Sequence, residues 1–96
     1  MQRRTVKSLK DVLAQLIREQ GLETPLLQKR LIDAWPKVAG KVVARYTGNI
    51  FISDQVLHVK ILNPALRQDL TMMRSQLLYR LNAEVGTNLI TDVHIY

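Results

Sequence analysis

The sequence predicts an α+β domain whose elements run helix, helix, strand, strand, helix, strand (α-α-β-β-α-β). Three observations lead there. Apolar residues recur at helical spacing through residues 9–17 and again through 66–81. Apolar and other residues alternate in "NIFISDQVLHVKIL" and in "NLITDVHIY", the period of a strand. Cap, proline and glycine residues stand where the period changes. A three-stranded sheet needs apolar cover, so the helices are expected to pack on one face and leave the other open.

The elements follow in order. In "SLKDVLAQLIREQGL", Ser8 is placed as N-cap and Asp11 lies in the first turn. Leu9, Val12, Leu13, Leu16 and Ile17 make one face that is expected to be buried, and Gly21 ends the helix. "TPLLQKRLIDAW" restarts it, with Thr24 as cap, Pro25 at the first position and Leu27, Leu31 and Trp35 at spacings of four. Pro36 disfavours helical geometry at Trp35, so a kink or short break is expected there. "PKVAGKVVARY" keeps a helical period, with Val38, Val42, Ala39, Val43 and Tyr46 on the packed side.

A β-hairpin follows, its turn supplied by Ser53, Asp54 and Gln55. The longest helix is capped by Asn63, opened by Pro64 and closed by Gly86, with Leu66, Leu70, Met73, Leu77 and Leu81 as its apolar seam. "NLITDVHIY" is the third strand, Val93 and Ile95 sharing one side.

Ninety-six residues make a single domain, residues 8–96, preceded by a basic arm, residues 1–7. The absence of cysteine excludes a disulfide scaffold, a thiol nucleophile and a thiolate metal site, and fits a reducing cytoplasm. No apolar run reaches the ~18 residues of a membrane span, and the charged start leads into no apolar core, so no signal peptide and a cytoplasmic location are expected.

Fourteen Lys and Arg oppose eight Asp and Glu, for a net charge of +6. Residues 1–45 carry ten of the cations and four of the anions, whereas the remainder is balanced at four each. A basic half beside a neutral half is the footprint of a polyanion partner. Two clusters carry it. Arg3, Arg4, Lys7 and Lys10 surround the start of the first helix. Lys37, Lys41 and Arg45 fall in one sector of a helical wheel, where like charges four apart repel and nothing in the segment offsets them. A phosphate backbone would; a solvated basic face is the plain alternative.

Catalytic signals are absent. His58 and His94 lie on separate strands with no HxH or HxxxH spacing and read as surface strand residues. Carboxylates are scattered singly, and no phosphate loop or nucleophile elbow occurs. No enzyme, cofactor or metal is implied. The sheet offers a third candidate surface. If alternate residues face the helices, Phe51, His58, Lys60, His94 and Tyr96 point outward, a set that suits base stacking, a partner protein or a second copy.

"AWPKVAGKVVARYT", "LHVKILNPALRQDL" and "LLYRLNAEVG" resemble a bacterial family known as domain of unknown function 721, the DciA type of replicative-helicase loader. Trp35, Pro36 and Gly40, then Leu57, Val59 and Ile61, then Asn63 to Leu70 carry the likeness, which spans roughly residues 8 to 95. The resemblance implies a KH-like fold, DNA binding and action with a DnaB-type helicase. Two features depart from what is associated with such domains: there is no cysteine for a zinc ribbon, and no GxxG loop of the kind with which KH domains clamp a backbone. Some members carry a long disordered tail, and here the helicase contact is expected on the folded surface instead.

The reading is therefore a non-enzymatic, DNA-binding accessory protein of bacterial replication that assists the replicative helicase, on single- or double-stranded DNA. Its rivals are a protein-interaction module or homodimer using the open sheet, and an RNA-binding domain.

Overall fold

The computed structural model describes residues 8–19 and 23–96, without the side chains of residues 14, 16–19 and 23. The arm with Arg3, Arg4 and Lys7, the Gly21 stop and the side chains of Leu16 and Ile17 lie outside the described residues.

Helix α1 spans Leu9–Glu19, and its cap is the expected one, the Asp11 amide donating to Ser8 Oγ at 3.1 Å. The described part of its apolar face is not buried. Leu9 is 75% exposed, and Val12 and Leu13 are exposed with it. An amphipathic stripe shows that a face suits apolar cover; it does not show that the same chain provides it.

Helix α2, Glu23–Asp33, starts before the expected cap, so Thr24 and Pro25 lie inside its first turn. The proline is still at a position whose amide would have no intrahelical acceptor. The chain breaks at Ala34, as Pro36 requires, and resumes as α3, Trp35–Ala39. A second break falls at Gly40, where a lone glycine allows close packing or a local bend, and its φ of 101° and ψ of 162° suit glycine alone. Helix α4, Lys41–Arg45, follows it. The single helical period read from Pro36 to Tyr46 is thus split and rotated. Val38 and Val43 are buried, while Val42 is 59% exposed and Tyr46 faces solvent, both contrary to the wheel.

Strands β1 (Thr47–Ser53) and β2 (Val56–Ile61) pair antiparallel, and β3 (Asp92–Ile95) joins β2 in parallel, giving the order β1-β2-β3. Asp54 and Gln55 close the hairpin with φ of 52° and 64°, the paired positive values of a type I′ turn. The register slips between Thr47 and Ile50, where Gly48 lies against the side chains of Leu62 and Lys60.

Asn63 Oδ1 accepts the Leu66 amide at 3.0 Å and Pro64 opens α5, as the sequence indicates. The long helix is not continuous. It bends at Met73, between α5 (Pro64–Met72) and α6 (Arg74–Val85), and Gly86 ends it in the left-handed conformation. Thr71 Oγ1 donates back to the Arg67 carbonyl at 2.8 Å just before the bend, an interaction that commonly bends helices. Met73, expected in the seam, is exposed there, and Met72 is 79% exposed.

The core joins Leu57, Val59, Ile61, Val93 and Ile95 of the sheet to Leu31, Trp35, Val38, Val43, Leu70, Leu77, Leu81 and Val85 of the helices, with Ile90 closing it. The molecule is thus a mixed α+β fold with a three-stranded sheet. Among the described residues no helix is long and apolar enough to cross a membrane.

Candidate nucleic-acid interface

The α3–α4–β1 corner organises the basic surface. Trp35 is 2% exposed, and its indole N–H donates to Thr47 Oγ1 at 2.9 Å. Thr47 Oγ1 in turn donates to the Val43 carbonyl at 2.8 Å, near the end of α4. One threonine therefore ties α3, α4 and β1 together, and fixes which way α4 presents its cations. The Leu62 amide donates to the Tyr46 carbonyl at 2.8 Å, which seats the end of α4 beside the end of β2.

The three cations of this segment do not form one stripe, because Gly40 separates them. Lys37 lies on α3 and reaches α6, where Nζ meets Glu84 Oε1 at 2.8 Å. Part of its charge is thus offset by a carboxylate far along the sequence. Lys41 and Arg45 lie together on α4, exposed, and have no ion-pair partner among the described residues. Lys60 is exposed on the open sheet face and lies beside Gly48, close to the same corner. Lys10 is exposed on α1. The structure therefore keeps Lys41 and Arg45 together on α4, sets Lys60 beside Gly48 of β1, and gives Lys37 a carboxylate partner.

The open sheet face carries an aromatic row. Cross-strand register sets Phe51 opposite His58 and His58 opposite His94. Phe51 stacks on His58 with centroids 4.8 Å apart and planes inclined by 15°. His94 and Tyr96, two apart on β3, stack at 5.2 Å and 23°. The two pairs meet edge to face between His58 and His94. These rings cover faces of one another, so a stacking nucleobase would find those faces already occupied.

Sequence reasoning missed three features here. It kept the two histidines apart, because their adjacency follows only once β2 and β3 are known to be parallel neighbours. It missed Glu84, which lies in another element. It placed Tyr46 in the core, because the Gly40 break rotates α4. The lone glycine was the available signal, since glycine inside a helical pattern often marks a break.

The sequence matches the family described as "Dna[CI] antecedent, DciA" over residues 8–95. It is also similar to a UPF0232 protein of Corynebacterium glutamicum (strain R), 28% identical over 93 residues. That alignment covers 97% of this chain and 52% of the relative, so the chain spans about half the length of the curated relative it matches.

Proposed function

The chain belongs to the DciA family, and from that premise we propose that it is a non-enzymatic DNA-binding accessory protein that assists loading or operation of the replicative helicase. The family is linked to the loading of the DnaB helicase, which supports a role in replication. The α-α-β-β-α-β order, with α3 and α4 extending the second helix and α5 and α6 forming the third, supports the KH-like likeness.

One observation carries the DNA-binding part of this reading. Lys41 and Arg45 stand exposed on one short helix without ion-pair partners among the described residues, and the Leu62–Tyr46 backbone bond seats the end of that helix beside the end of β2, the strand that carries Lys60. Adjacent uncompensated cations repel in the free protein and are relieved by phosphate. Arg3, Arg4, Lys7 and Lys10 would extend the contact from the N-terminal side, in a bacterial cytoplasm.

Fluorescence anisotropy with labelled single- and double-stranded DNA, at several salt concentrations, tests it. Binding is expected, with log affinity falling linearly against log salt. Absence of binding at low salt removes the reading. Competition by matched RNA separates the RNA-binding alternative.

A second reading is favoured by a different observation. The exposed Leu9, Val12 and Leu13 face of α1 suits an apolar partner surface. On this reading the chain is a protein-interaction module. Leu9, Val12 and Leu13 to Ser should then weaken capture of the purified helicase and leave DNA affinity unchanged.

A further inference from the structure

His58 and His94 are the chain's two histidines, and the sheet sets them side by side on neighbouring strands. Their Nδ1 atoms lie 3.1 Å apart. In such a pair one nitrogen donates and the other accepts, so a lone pair is already directed into the gap. Two imidazole nitrogens at ~2.0–2.1 Å from one ion are separated by about 3.3 Å in tetrahedral geometry and about 2.9 Å when cis in a square plane. The observed separation lies between these values. The nitrogens already stand at a chelating separation, and the rings must turn about their side-chain bonds so that both lone pairs converge on the ion.

The rings are also held. Phe51 stacks on His58 and Tyr96 stacks on His94, while the two imidazole planes stand at 88° to each other. The paired strand positions fix where both side chains leave the sheet. Orientation that is set before binding lowers the ordering cost of a ligand.

We propose that His58 and His94 together bind one borderline transition-metal ion, Zn²⁺, Ni²⁺ or Cu²⁺, through their Nδ1 atoms on the open face of the sheet. Neutral imidazole selects these ions over Mg²⁺ and Ca²⁺, which require oxygen ligands. Among the described residues no group of three or more His, Cys, Asp or Glu could hold a metal. The protein therefore supplies two ligands, and the other coordination positions face solvent. That makes the site exchangeable rather than a structural zinc centre. On binding, the ring that donates Nδ1–H shifts to its other tautomer, its proton passing through water to Nε2, so that both Nδ1 lone pairs meet the ion and both rings stay neutral. The ion adds positive charge to the face that carries Lys60. The proposal is independent of DNA binding.

The test uses the untagged full-length chain, titrated with Zn²⁺ by calorimetry and followed through the imidazole NMR signals. With no cysteine and no third histidine, no other thiolate or imidazole can contribute. One equivalent is expected to bind, shifting the ring signals of both histidines together, while Mg²⁺ leaves them unmoved. His58→Gln and His94→Gln, each checked for an unchanged fold by circular dichroism, should each weaken binding about tenfold or more, because a single imidazole loses the advantage of a second tethered ligand. Binding by both variants with wild-type affinity overturns the proposal. So does an unchanged pair of imidazole spectra at ~1 mM Zn²⁺, on the order of the effective concentration that a tethered second ligand supplies; this readout needs no variant to fold.

Discussion

The Trp35 indole N–H donates to Thr47 Oγ1 at 2.9 Å, and that hydroxyl in turn donates to the Val43 carbonyl at 2.8 Å. The relay crosses from α3 through β1 to α4, at the point where the chain turns from helices to sheet. Trp35 is almost wholly buried, so its N–H has little access to water. Removing the acceptor strands a buried donor, which costs more than the hydrogen bond contributes net.

Thr47→Val keeps the shape and removes the hydroxyl. It is expected to lower stability by about 1–3 kcal/mol in urea denaturation. Thr47→Ser keeps the oxygen and should recover most of that loss. A neutral valine beside a destabilised serine would show that the methyl packing, and not the relay, matters.

Gly40 sets the relative rotation of α3 and α4 through backbone conformation alone. A Cβ added there meets nothing within 4 Å, so crowding is not the obstacle. Its φ of 101° and ψ of 162° lie in a region that other residues avoid, and Gly40→Ala is expected to cost about 1–3 kcal/mol. Gly86 offers the comparison: at φ 77° it is left-handed, a region asparagine tolerates. Gly86→Asn should therefore be milder than Gly40→Asn in parallel thermal melts. The reverse ranking would mean that α3 and α4 re-form as one helix without the break.

Asp54 suits the first position of the type I′ turn, whereas Gln55 stands in the second, where glycine is favoured. Gln55 also accepts the Thr91 amide through its carbonyl at 2.7 Å, a backbone contact that a substitution preserves. Gln55→Gly is expected to raise stability by about 0.5–1 kcal/mol, since glycine removes the left-handed penalty and recovers more than its extra unfolded-state freedom takes away. A lower midpoint in urea for the glycine variant would contradict this.

Much of the fold was legible because it rests on local chemistry. Ser8, Asn63 and Gly86 cap as their types predict, and Pro36 places the first break. The alternating strands give the buried Leu57, Val59, Ile61, Val93 and Ile95. What failed depended on distant partners or on one dihedral. Helical spacing cannot say that Leu9, Val12 and Leu13 stay exposed, nor that Thr71 donates back to its own helix just before the break at Met73. The cation stripe was drawn on a helix that Gly40 interrupts. The contact between His58 and His94 joins positions 36 apart and exists only in the parallel register.

Asn82 closes the loop before β3 with both ends of its amide. Nδ2 donates to the Ile90 carbonyl at 2.9 Å, and Oδ1 accepts the Ile90 amide at 3.1 Å, as a neighbouring strand would. Ile90 is buried, so this pairing holds a core residue in place. Asn82→Asp keeps the size, loses the donor and sets a carboxylate against a carbonyl. It is expected to cost about 1–3 kcal/mol at neutral pH, read as a lowered urea midpoint. An unchanged midpoint would show that the loop is held by packing alone.

The cations of α3 and α4 should separate in a salt titration of DNA binding. Lys41 and Arg45 have no ion-pair partner among the described residues, whereas Lys37 already meets Glu84 at 2.8 Å. A phosphate contact by Lys37 must compete with that carboxylate, although the pair is exposed and of modest strength, about 0–1 kcal/mol. Lys41→Gln with Arg45→Gln is therefore expected to reduce the slope of log affinity against log salt by about 1.4–1.8, at ~0.7–0.9 for each phosphate that is no longer neutralised. Lys37→Gln should change the slope by less than either single change on α4. Glu84→Gln releases Lys37 and should tighten binding slightly, an effect that Lys37→Gln abolishes in the double variant. If Lys37→Gln alone removes as much slope as the α4 pair, the DNA follows α3 and displaces Glu84, and the site centres on the Trp35 corner instead of on α4.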